Sequence, residues 1–104
     1  MANTIGNLAT AFSALGEYRR AKELHERALG IKEQHYGPDH VQVAVTVGNL
    51  ASAFHQLGEY SKAKQLYERA LGIKEQHYGP DHVQVAVAVG NLALAFSDLG
   101  EYSK

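Results

Sequence analysis

The chain contains no cysteine, which removes disulfides, thiol nucleophiles and zinc–thiolate sites together. An excess of one charge is also lacking. Ten basic residues stand against eleven acidic ones, for a net charge of −1; a nucleic-acid or anionic-membrane surface needs surplus Lys and Arg. No apolar run approaches the roughly 20 residues of a membrane span, and no signal-peptide pattern opens the sequence. Proline occurs only at Pro38 and Pro80, each inside the same heptapeptide, YGPDHVQ. These absences point to a soluble cytoplasmic protein with no nucleic-acid or membrane partner. What is present, 45% hydrophobic residues in a chain of 104, suffices for one small packed domain and argues against disorder.

The segment HVQVAVTVGNL, from His40 to Leu50, poses a conflict. Val41, Val43, Val45 and Val47 alternate with smaller or polar residues, the period of a strand, and Val itself favours strands. A second copy begins at His82. Duplication runs through the whole chain: GNLATAFSALGEY at 6–18 returns at 48–60 and 90–102 with minor changes, an offset of 42 each time. Between 3–44 and 45–86, nine positions differ and 33 of 42 are identical. Repetition this tight at a period of 20–50 residues predicts stacked units in place of one closed globule.

Each unit reads as two helices. In YGPDHVQ, Gly37 can end a helix in a positive-φ conformation and Pro38 blocks its continuation. Asp39 then fits as N-cap of the next helix, with Gln42 three residues on as capping-box partner; Gly79, Pro80, Asp81 and Gln84 repeat the pattern. Downstream, Val43, Val47, Leu50, Phe54 and Leu57 fall on one helical face. Gly58 closes that helix, and EYSKAKQLYERALGIKEQHY supplies the second, with Tyr60, Ala63, Leu66, Tyr67, Ala70, Leu71 and Ile73 as its apolar side. A strand at 41–47 would leave the rest of the stripe as an orphan helix and its own edges unpaired. Helix is the expected state.

NLASAFHQLGEYSKAKQLYERALGI resembles a tetratricopeptide repeat: Ala51, Phe54, Gly58, Tyr60, Ala63, Tyr67 and Ala70 stand at its small, aromatic, Gly, Tyr, Ala, aromatic and Ala positions. The 42-residue period and the YGPDHVQVA linker are similar to the longer, kinesin-light-chain variant, against about 34 residues in the usual repeat. The resemblance covers essentially the whole chain. It implies an all-α solenoid, a right-handed superhelix of antiparallel helix pairs. The expected organisation is a single array, with a partial repeat at 1–38, a full one at 39–80 and a truncated third at 81–104. First helices would line a concave groove, second helices the convex outside, and the function would be protein recognition without catalysis.

From His40 to Leu57 the first helix carries no Asp, Glu, Lys or Arg, so a neutral groove is expected. The resemblance places Val45, Gly48, Asn49, Ser52, His55 and Gln56, with Asn91 one unit on, along that groove as candidate peptide-binding residues. The variant commonly has Asn-Asn where this chain has Gly48-Asn49 and Gly90-Asn91. That loss weakens any carboxylate clamp while leaving one amide per unit for a ligand backbone. Two roles stay open for Asn7, Asn49 and Asn91: ligand contact, or a structural ladder bridging neighbouring helices. Gly48 and Gly90 each cost about 1 kcal/mol in a helix. Close helix packing is the expected reason, for Gly30 and Gly72 as well, and room for a ligand backbone is the alternative.

Six histidines do not make a metal site, since a Gly-Pro breaks the helix between His35 and His40 and between His77 and His82. No nucleophile–base constellation or phosphate loop is found, so neither a cofactor nor an enzyme is expected. The third first helix shows the stripe Val85, Val89, Leu92, Phe96 and Leu99, whose cover would be a further helix. Self-association, end to end or by helix exchange, is therefore the second expected property.

Overall fold

The computed structural model describes residues 2–98. Five helices follow one another: α1 (Ala2–Ala14), α2 (Tyr18–Tyr36), α3 (Val41–Gln56), α4 (Tyr60–Tyr78) and α5 (Val83–Asp98). Each packs on the next in the sequence, so the architecture grows along a line, 42 × 29 × 18 Å overall. Among the described residues there is no strand. The valine alternation is absorbed by a helix because two of its members, Val43 and Val47, are fully buried between α3's neighbours, while Val45 is 47% exposed on another face. Burying a Val side chain contributes about 1.5–3 kcal/mol, well above the few tenths by which Val disfavours a helix.

Two clusters make the core. Val43, Ala44 and Val47 pack with Ala70 and Ile73; Leu50, Ala51 and Phe54 pack with Ala63 and Tyr67. Alanines at the seams let the helix axes approach closely; most of the predicted stripe residues meet there, while Leu57, Tyr60 and Leu71 are only partly buried. On α5, Val85 is buried but Val89 is 49% exposed. Leu99 lies outside the described residues, as does the side chain of Phe96.

The helix boundaries bring a correction. Asp39 does not cap α3. The N-cap is His40, in extended backbone (φ −77°, ψ 147°), whose Nδ1 accepts the Gln42 backbone N–H at 3.0 Å. Likewise His82 Nδ1, and not Asp81, accepts from Gln84 at 3.0 Å. The imidazole is held for this task by Tyr36, whose ring stacks on it at 4.5 Å; Tyr78 does the same for His82 at 4.4 Å. Asp39 sits one residue too early, in the turn that Pro38 starts. At the other end of the hairpin, Gly58 (φ 81°) turns the chain. The Glu59 N–H donates to the Phe54 carbonyl at 2.9 Å and the Gly58 N–H to that of His55 at 3.0 Å, which satisfies the orphan acceptors at the end of α3.

Successive second helices are clasped by charge. Arg69 on α4 donates to a Glu33 carboxylate oxygen on α2 at 2.6 Å and to the Pro38 carbonyl at 3.1 Å. Lys22 of α2 and Lys62 of α4 both stand 5.5 Å from the centre of the Phe54 ring, within cation–π range.

Candidate recognition groove

Two pockets open between the helices. The first, of about 180 Å³, lies between α1, α2 and α3; Gly6, Asn7, Thr10, His25, Lys32 and Asn49 are on its wall. The second, of about 370 Å³, lies between α3, α4 and α5, with Gly48, Asn49, Ser52, Tyr67, Lys74 and Asn91. Moving each of these first-pocket residues on by one repeat reaches its second-pocket counterpart, so they are one pocket built twice. Asn49 belongs to both.

Val45, Asn49, Ser52 and Asn91 thus line one pocket. His55 and Gln56 are not on either wall. They lie at the end of α3, where the His55 ring meets that of Tyr60 edge-on at 5.1 Å.

The expectation of a neutral groove is also corrected. Lys32 and Lys74 reach the pockets from the second helices, because a long aliphatic stem can run along apolar surface and deliver its ammonium some distance from the backbone. Neither lysine forms an ion pair among the described residues. Reading charge on the first helices alone missed them; their recurrence one repeat apart in KEQHY was the available signal.

The glycines correct a further expectation. A Cβ placed on Gly6, Gly48 or Gly90 would meet nothing within 4 Å, and the same holds for Gly30 and Gly72. Close packing is not why these residues are glycine. Asn7 and Asn49 are exposed, so water can satisfy their amides without a ladder.

The pocket walls differ at one buried ring. His25 is 3% exposed, and burial holds its imidazole below the usual histidine range. Tyr67 occupies the equivalent place, its phenol pushed up by burial and partly brought back by a hydrogen bond from Ser52. The counterpart of Ser52, Thr10, instead donates to the Gly6 carbonyl on its own helix at 3.0 Å. Among the described residues no group of three or more His, Cys, Asp or Glu is placed to hold a metal, and no helix is long and apolar enough to cross a membrane.

Helix hairpins stacked in line, with the same small pocket formed twice at an interval of one repeat, define an α-solenoid. Residues 1–76 match the tetratricopeptide repeat model, and the chain belongs to that family, whose repeats serve as protein–protein interaction modules and are typically non-catalytic scaffolds. Among solved structures, BtubC (BKLC) from P. vanneervenii superposes with a TM-score of 0.89 at 25% identity, covering 97% of this chain and 41% of that one. A Podosopora anserina protein of kinesin-light-chain type, with nearly identical TPR-like repeats, gives 0.88 at 24% identity over 96% of this chain and 47% of its own. The chain therefore spans less than half the length of these relatives. No curated protein matches it.

Proposed function

We propose that the chain is a cytoplasmic protein-recognition module that holds an extended segment of a partner protein along its concave side, with units bounded at 38/39 and 80/81. The observation that supports this reading is the doubled pocket. Val45, Asn49, Ser52 and Asn91 present donors, acceptors and small apolar surface at a repeating interval, as an extended peptide presents its own amides. The open space above Gly6, Gly48 and Gly90 is room for a ligand backbone.

The test is to pan a random dodecapeptide phage library on the wild-type chain and on the double variant Asn49→Leu, Asn91→Leu. The variant folds, by circular dichroism, and loses enrichment. Equal enrichment with intact folding refutes the reading.

A second reading, an array whose partners are its own repeats, is favoured by α5, where Val83, Val87, Val89 and Leu94 are 49–67% exposed. It requires a mass above the monomer by light scattering at high concentration; a monomeric mass throughout removes it.

A further inference from the structure

Both junctions between units are fastened by a histidine lone pair. At the start of α3, His40 holds three backbone donors. Its Nδ1 accepts the Gln42 N–H at 3.0 Å, and its carbonyl accepts those of Val43 at 2.9 Å and Ala44 at 3.2 Å. His82 repeats the arrangement at the start of α5, with Gln84 at 3.0 Å, Val85 at 3.0 Å and Ala86 at 3.2 Å. Helix N-caps are ordinarily Ser, Thr, Asp or Asn, whose oxygens accept throughout the neutral and mildly acidic range. An imidazole nitrogen accepts only while it carries no proton. We propose that His40 and His82 make the joints between successive units acid-sensitive: protonating the two rings uncaps α3 and α5 together. This inference stands apart from the groove reading and does not depend on it.

Two effects act against the charged ring as a cap. Imidazolium is a donor at both nitrogens, with no lone pair left for the Gln42 or Gln84 amide, and its charge meets the positive end of the helix dipole. The surroundings still accept it. At the first junction the last turn of α2 supplies Glu33, His35 and Tyr36, and the turn supplies Asp39. Arg69 of α4 is taken up there by Glu33 and the Pro38 carbonyl. At the second junction Glu75, His77 and Tyr78 end α4 and Asp81 lies in the turn. The first turns of α3 and α5 add no ionisable residue. Tyr36 and Tyr78, stacked at 4.5 and 4.4 Å, offer an aromatic face to a cation, so protonation removes the cap without expelling the ring. The two joints differ in how far they can then loosen. Val43 and Ala44 are fully buried against α4 and anchor the first turn of α3. In the first turn of α5 only Val85 is buried, while Val83 is 67% exposed.

The experiment follows amide hydrogen exchange of the isotopically labelled whole chain by NMR at about pH 7.5 and pH 5, which bracket the histidine charge change. Each rate is divided by its intrinsic value at that pH. Protection of the Gln42 and Gln84 amides falls about fivefold in acid, the weight of one side-chain cap, with the larger loss at Gln84. The Leu50 amide, in the middle of α3, serves as the control and changes less. The double variant His40→Asn, His82→Asn puts an amide oxygen in each cap, which accepts at both pH values, and keeps the neutral level of protection in acid. The double variant His40→Ala, His82→Ala shows the low protection at both. Equal protection of Gln42 and Gln84 at the two pH values in the wild type overturns the proposal. A loss in the Asn variant as large as that in the wild type also overturns it, because the acid sensitivity then belongs to another group.

Discussion

The two pockets differ where repetition was relaxed. Of the nine substitutions between 3–44 and 45–86, two fall on equivalent pocket residues, Thr10 against Ser52 and His25 against Tyr67. They change together in a physically coherent way. Ser52 bonds to Tyr67 across the second wall, whereas Thr10 bonds back to its own helix and leaves His25 buried on a wall it shares with Asn7, Lys32 and Asn49. Backbone positions, amides and lysines are held in common. One scaffold therefore presents a rigid version and a titratable version of the same concavity, and the comparison can be broken residue by residue.

The largest effect is expected at the rigid wall. Tyr67 is 8% exposed and packs with Leu50, Ala51, Phe54 and Ala63. Tyr67→Ala leaves a cavity there and lowers stability by about 3 kcal/mol in urea titration. His25 is at least as well buried, 3% exposed, but its ring is smaller and polar. His25→Ala costs about half as much, and equal losses would mean that the two rings are structurally equivalent. Next in size is a gain. Gly48 is helical, and a Cβ added to it would have nothing within 4 Å; Gly48→Ala therefore stabilises by up to about 1 kcal/mol. The same methyl narrows the pocket, so a more stable variant with weaker peptide binding is expected, and unchanged binding would detach Gly48 from recognition. A smaller loss follows cutting the clasp between units. Arg69 and Glu33 have about a third of their side-chain surface exposed, and after allowance for screening Arg69→Ala costs about 0.5–1 kcal/mol, diminishing in 1 M salt.

The solenoid was legible because the same answer is written more than once. Val43, Leu50 and Phe54 on one helix and Ala63, Tyr67 and Ala70 on the next are core residues that periodicity alone identifies. The cap was not legible. Asp-x-x-Gln satisfies a capping box, and nothing in the spacing reveals that Tyr36 stacks on His40 and holds its Nδ1 against the Gln42 N–H. The lining of the two pockets was half legible. Asn49 and Asn91 follow from the repeat, but which side of the layer of helices Lys32 and Lys74 reach depends on helix tilt and side-chain length. The glycines show a different limit: their cost per residue is a local property, whereas empty space around them is a tertiary one.

The smallest effect isolates the titratable wall through stability instead of binding. Burial lowers the His25 pKa in the folded chain, so between that value and the unfolded value of about 6.5 the unfolded state binds more protons. Stability then rises with pH through this window: the neutral ring is accommodated without penalty above about pH 7, and the folded state loses ground as the pH falls below 6.5. His25→Tyr removes this one contribution. The other five histidines, including the caps His40 and His82, remain in both chains and cancel in the difference. Urea midpoints measured from pH 8 to pH 5 should therefore fall more steeply for the wild type than for His25→Tyr, with the curves converging toward parallel lines above pH 7. Parallel curves throughout would mean that His25 is as well hydrated as an exposed histidine. Its difference from Tyr67 would then be one of shape alone.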